Sequence, residues 1–269
     1  MSDPVSEAVT RLRGLTPETT TVDRVTVGER AVLVELSDET DTTAGLAHRP
    51  PGDPPATDDP DLDRLLTAAA SPTDSDHVTR ALGIATANAL SVPHIEWETG
   101  DPMALLDADV GRITTVGLFA PAFRKFDAID VRVIERGPID DVPSPDGVRT
   151  ETFTADETDA AMSGTEVVFV TGSAFIYGGI DGYLAAAPAS ATVVVIGATA
   201  SFLPEPLFDR GVDVVAGASV ADLDAVRAAV AAGACGTDLH DAGVRKVYAA
   251  ATSPAGVRLS RTDVSTPNQ

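Results

Sequence analysis

Four short stretches set glycine beside acidic, hydroxyl or aromatic side chains at the end of an apolar run. They are the places where residue type and spacing bear on chemistry. In Val116-Gly117-Leu118-Phe119-Ala120-Pro121 a glycine follows an apolar strand. Gly117 permits a tight turn, and the N–H groups that follow could face an anion. It stands alone, without the three glycines of a dinucleotide fingerprint, so by itself it reads first as a plain strand-to-helix turn. In Val133-Ile134-Glu135-Arg136-Gly137-Pro138 the carboxylate of Glu135 lies 18 residues beyond Gly117. A Rossmann acid that accepts from ribose hydroxyls lies about 20 residues after the glycines. A solvated strand-end glutamate is the equal alternative. Thr171, Gly172 and Ser173 form a hydroxyl-flanked glycine after Val170. Hydroxyls and free N–H groups there would cradle a carbonyl or phosphate, or merely build a turn. Gly197, Ala198 and Thr199 repeat that theme after Ile196.

Groups that would cleave bonds or hold metals are sparse. His48, His77, His94 and His240 have no metal-ligand spacing, and Cys235 has no partner cysteine and reads as packing. Nucleophile-elbow, zincin and phosphate-loop motifs are absent. The residues alone describe a ligand-binding protein with no stated reaction.

Those loops need strands and helices to position them. Residues 5–12 have helical spacing. Residues 21–27 and 30–36 are β-branched runs joined at Gly28-Glu29, a hairpin signal, and 42–47 extends it. After the Pro/Asp-rich loop 48–59 come helical patterns at 61–69 and 76–90. The boundary falls at 98/99, making residues 1–98 an α+β domain. Beyond it, apolar strands at 113–118, 130–135, 166–170, 192–196 and 212–215 alternate with helical stretches at 156–162, 179–187 and 221–231. Near-continuous Val/Ile strands of this kind predict an α/β fold over 99–252, a Rossmann-like parallel sheet with helices on both faces. Residues 253–269 read as a loose polar tail.

The chain carries a formal charge of −22, and Lys125 and Lys246 are its only lysines. Its apolar runs argue against disorder, so the composition reads as a folded, salt-adapted protein. No basic stripe invites nucleic acid, and no apolar run nears a membrane span. The lone cysteine and the plain N-terminus fit the cytoplasm.

The ordered set of motifs resembles the family described as putative heavy-metal chelation. The resemblance runs over most of the chain. It rests on Ala44-Gly45-Leu46-Ala47, on Leu82-Gly83-Ile84-Ala85-Thr86-Ala87-Asn88-Ala89-Leu90 and on the four strand ends above. Leu207-Phe208-Asp209-Arg210-Gly211-Val212 and Ala216-Gly217 complete it. The resemblance implies an N-terminal domain similar to that of enolase before the Rossmann-like domain, with a small-molecule ligand in the cleft between them. A nucleotide, flavin or pterin-like molecule is the class implied. It adds Asn88 and Phe119 to the ligand-binding set of Gly117, Glu135, Thr171, Gly172, Ser173, Gly197 and Thr199. Asn88 could equally spend its amide on backbone. The family usually has Asn in place of Tyr177, Thr in place of Gly179, and Gly-Pro-Ser in place of Gly197-Ala198-Thr199. Two functions stay open: a binder concerned with metal complexes, and an enzyme acting on a nucleotide, flavin or pterin-like substrate. A homodimer is also left open.

Screening should stabilise so acidic a chain, because it removes repulsion that opposes compaction. The melting temperature is expected to rise as KCl goes from dilute to molar. A steady fall would contradict salt adaptation.

Overall fold

The computed structural model describes residues 3–72, 76–139, 141–143 and 145–259. Helix α1 (Pro4–Leu15) starts where the Asp3 carboxylate accepts from Ser6 N–H, and it buries Val5, Ala8, Val9 and Leu12 along one stripe. Strands β1 (Thr21–Val27), β2 (Ala31–Ser37) and β3 (Thr42–His48) form an antiparallel sheet in that order. Residues 31–36 of β2 are all buried. Val32, Val34 and Leu36 join one core, while Ala31 and Leu33 face another on the opposite side. That two-sided burial is why β2 reads as a continuous apolar run.

Helix α2 (Leu62–Ala69) precedes α3 (His77–Ser91), which starts at the Asp76 N-cap. From Arg80 to Ser91 every residue of α3 is buried. A helix enclosed on all sides needs small or apolar side chains, which accounts for its alanines and glycine, and its buried polar residues Arg80, Thr86, Asn88 and Ser91 each bond a carbonyl.

The remaining strands are β4 (Glu98–Thr99), β5 (Arg112–Val116), β6 (Asp130–Glu135), β7 (Arg149–Thr154), β8 (Val167–Thr171), β9 (Thr192–Ile196), β10 (Val214–Val220) and β11 (Val244–Ala250). The flanking helices are α4 (Thr158–Met162), α5 (Ala174–Tyr177), α6 (Ile180–Ala186), α7 (Glu205–Phe208), α8 (Leu223–Ala231) and α9 (Thr237–Asp241). Among the described residues the strands form one eight-stranded sheet in the order β4-β11-β10-β9-β8-β5-β6-β7. From β7 to β10 all pairs are parallel, and β11 runs antiparallel to its neighbours β10 and β4. Numbered from β5, the parallel part has the 3-2-1-4-5-6 order of a Rossmann sheet. Its direction of winding switches between β5 and β8, where the crevice for a ligand opens.

The α/β class read from the sequence is the class found. Strands β4, β7 and β11 were not anticipated: β7 lies at the sheet edge and is largely exposed, so it has no apolar run to read. The connection from β5 to β6 uses only a 3-10 segment, Ala120–Lys125. The loose tail expected from residue 253 is a correction up to residue 259. Val257 is buried and bridges to Leu106, and Thr192 Oγ1 donates to the carbonyl of Ala255. Residues 260–269 lie outside the described residues.

Arginines tie the N-terminal helices and sheet to the parallel sheet, three of them with the less exposed side chains and Arg11 through an exposed pair with Asp209. Buried Arg80 donates through Nε to the carbonyl of Phe175 at 2.7 Å, and it also reaches Asp3 and the carbonyl of Ser71. Arg210 holds Glu7 at 2.8 Å. Arg227 makes a two-pronged pair with the buried Glu35, both contacts at 2.7 Å. One hydrophobic core runs through the join, packing Leu82, Ala85 and Val34 with Val116, Val170 and Phe175.

Replacing Arg80 by Met strands two backbone carbonyls and is expected to cost about 2–5 kcal/mol in denaturant unfolding. A loss below about 1 kcal/mol, the size of an exposed pair, would show that Arg80 does not hold the join.

Candidate functional site

A cleft of about 430 Å³ opens at the switch point. Its floor is the carboxyl ends of β5, β6, β8 and β9, supplied by Gly117, Glu135, Thr171 and Gly197. The residue 46–48 end of β3 and the start of β2 form one wall, and α5 and α6 form another. Gly117 and Gly197 have φ of +95° and +125°, so each turn departs through a conformation that a side chain would strain. At Gly197 nothing but backbone stands near the missing side chain, the closest atom being Gly172 N at 3.8 Å.

The sequence-predicted residues divide clearly. Gly117, Phe119, Glu135, Thr171, Ser173, Gly197 and Thr199 all line the cleft. Gly172 and Asn88 do not. Gly172 instead lets the turn after β8 approach the 198–200 turn, where an added Cβ would lie 3.0 Å from Ala200 N. Asn88 is buried, and its amide donates to the carbonyls of Leu46 at 2.7 Å and Ala198 at 3.0 Å. Both acceptors line the cleft, so Asn88 positions its walls.

Several of these groups also bond to each other. Leu118 N–H donates to Glu135 Oε1 at 2.6 Å, so the carboxylate occupies an N–H that an anion could otherwise have used. Thr171 Oγ1 lies 3.2 Å from Ser173 Oγ, closing a hydroxyl turn. Thr199 Oγ1 accepts from His48 N–H at 2.9 Å and fixes β3 to the turn after β9.

Arg30, His48, Arg136, Tyr177, Tyr183 and Cys235 also line the cleft, and sequence reasoning did not assign them to it. The Arg136 guanidinium sits 3.5 Å above the Tyr177 ring centroid, a cation–π contact. His48 Nε2 lies 3.1 Å from the Tyr177 hydroxyl, and His77 meets the same ring edge-on. Burial, with the nearby Arg136 charge adding to it, holds His48 below its ordinary pKa. Burial pushes Tyr183 up, helped by Glu135 and opposed by Arg136. Cys235 Sγ lies 3.8 Å from an Arg30 nitrogen. The one available signal for Tyr177 was its departure from the family's usual Asn.

Residues 11–91 and 101–249 match two family models, each with the description "Putative heavy-metal chelation". The chain belongs to this family. An uncharacterized protein of Methanocaldococcus jannaschii is 27% identical over 156 residues, which are 55% of this chain and 58% of that protein. Two solved family structures, both of proteins with unknown function, share the fold. The one from Pyrococcus horikoshii gives a TM-score of 0.76 at 20% identity, covering 92% of this chain and all of the other. The one from Desulfitobacterium hafniense gives 0.67 at 16% identity, covering 91% and 98%. Among the described residues no three His, Cys, Asp or Glu side chains gather as a metal-holding group, and no helix is long and apolar enough to cross a membrane.

Because the His48 shift is downward, folded His48 stays neutral where the unfolded chain would protonate. Its stabilising contribution is complete above the ordinary value of 6.5 and is lost as pH falls through the folded value. An NMR titration should place its midpoint below 6.5, and His48→Asn should flatten the loss of stability on acidification. A midpoint at or above 6.5 would contradict this.

Proposed function

We propose that the protein binds a small organic molecule in the cleft at the switch point, and that heavy metal reaches it as a complex of that molecule. One observation carries the reading: glycine turns and hydroxyls from adjacent strand ends converge on a cleft walled by Phe119, Tyr177 and Tyr183. Ligand sites combine apolar and aromatic walls with a few polar groups in this way. Ring faces and the hydroxyls of Thr171 and Ser173 suit a flat heterocycle, in the class of nucleotides, flavins or pterins. Glu135 then stands where a ribose would be gripped.

Bare metal fits these side chains poorly. A tight transition-metal site needs several soft or borderline donors converging at fixed geometry. Here Glu135 Oε1 is committed to Leu118 N–H, and Cys235 faces a guanidinium. A second reading, an enzyme on the same ligand class, is favoured by the His48–Tyr177 contact. A neutral imidazole beside a phenol on a cleft wall can pass a proton.

The test uses protein stripped by dialysis against chelator, in high salt. It should bind Zn²⁺, Ni²⁺ or Co²⁺ no better than about 1 mM. Glu135→Gln should weaken any ribose-bearing ligand about tenfold, the loss of one charged hydrogen bond. A stoichiometric submicromolar metal site, lost on mutating His48 or Cys235, would replace this reading with direct chelation.

A further inference from the structure

A second pocket of about 470 Å³ adjoins the first cleft along a common wall that includes Leu118, Phe119, Gly197, Ala198 and Leu239. It is walled by Met103, Phe119, Ile196, Leu239 and Val247 and is largely apolar. Lys125 and Lys246, the chain's only lysines, both line it. They arrive from different elements, the 3-10 segment after β5 and strand β11, yet both ammonium groups bond the same oxygen, Asp101 Oδ2. The other oxygen, Oδ1, accepts from Met103 N–H at 3.1 Å and fixes the carboxylate. Arg124 lines the same wall, and Asp101 is the one acidic residue in the lining.

The charges therefore do not cancel: three cationic side chains face one carboxylate. Burial alone would raise the pKa of Asp101, but hydrogen bonds from Lys125 and Lys246 prevail and lower it, so the carboxylate is ionised. Two ammonium groups on one oxygen repel each other, and each has donors left over. Their side chains are 34% and 45% exposed against 14% for Asp101, so the amines are the accessible part. In a chain of charge −22 the general field repels anions, and a local surplus of positive charge in an apolar pocket is the feature that would admit one.

We propose that this second pocket is an anion site, taking the phosphate or carboxylate end of a small molecule with an apolar body. Asp101, Arg124, Lys125 and Lys246 line this pocket and not the first cleft, so variants at these positions distinguish binding here from binding there. A purely structural role for the triad, joining the edge of the sheet to the 3-10 segment, makes a different prediction.

The full chain in KCl is titrated calorimetrically with phenyl phosphate, benzoate and phenol. At least one of the two anions should bind one-to-one, tighter than about 1 mM, with phenol at least about tenfold weaker. The stronger anion identifies the headgroup. Lys125→Gln and Lys246→Gln, each checked for folding by circular dichroism, should weaken that anion about tenfold. Asp101→Asn, which removes the competing charge and keeps an acceptor for Met103, should bind at least as tightly as the native chain. A structural triad alone would lower the melting temperature of all three variants and leave anion binding unmoved. Either that pattern, no binding of either anion, phenol binding as well as they do, or a folded Asp101→Asn that loses binding would overturn the proposal.

Discussion

A single buried amide joins the two sides of the cleft. Asn88 reaches from the middle of α3 to the carbonyl of Leu46 on β3 and to that of Ala198 in the turn after β9. The Ala198 carbonyl also accepts from Ser201 Oγ at 2.8 Å, so it is the Leu46 carbonyl that losing the amide would strand, and a buried acceptor left unpaired costs about 1–3 kcal/mol. The small antiparallel sheet is thus held at a fixed distance from the strand ends of the large one. Thr199 repeats the tie one turn away, by accepting from His48 N–H. These contacts, with His48 Nε2 against the Tyr177 hydroxyl at 3.1 Å, fix the spacing of the cleft walls.

Holding α3 in place is a matter of electrostatics as well as packing. The chain is strongly acidic, yet it sets arginines where segments meet: Arg80 under α5, Arg210 against α1, Arg227 on β2. Guanidinium suits such positions because its planar fork satisfies several acceptors at once. Each of the three is bonded to backbone or to more than one carboxylate oxygen, so each fixes an orientation besides a distance. The hydrophobic core that crosses the same join supplies the driving force, and the arginines select one docking among the many that apolar surface alone would allow.

How far this was legible depends on which force sets each residue. Strand β9 was read from the sequence with the bounds it has because burial on both faces demands an unbroken apolar run, and β6 because Val131, Val133 and Ile134 are buried between polar ends. Edge strands carry no such demand, so β4 and β7 were invisible, and β11, whose apolar run is broken by Arg245 and Lys246, was missed as well. Glycine and hydroxyl positions at strand ends were legible because tight turns require those types. Asn88 stood out as a polar residue in an apolar helix, but its partners lie 42 and 110 residues away, and no local pattern reveals them. The same holds for His48, Arg136 and Tyr177, which meet only when β3, β6 and α5 are brought together. The two lysines were visible as rarities, and their convergence on Asp101 was not.

On the proposed readings, the two pockets answer the same physical problem in different ways. A surface of net negative charge raises the cost of bringing in an anionic ligand, and molar salt removes that cost by shortening the screening length to about 3 Å. Salt weakens distant attraction equally, so recognition under those conditions must come from contacts shorter than that length or shielded from ions. Arg136 over the Tyr177 ring, 3.5 Å from its centroid, is such a contact. The lysines on Asp101 are another, half enclosed by apolar wall. Both keep positive charge effective at close range while the molecule as a whole stays acidic. A negatively charged chain can therefore offer cations to anionic or electron-rich ligands without basic surface patches, provided that those cations line concave, partly apolar pockets.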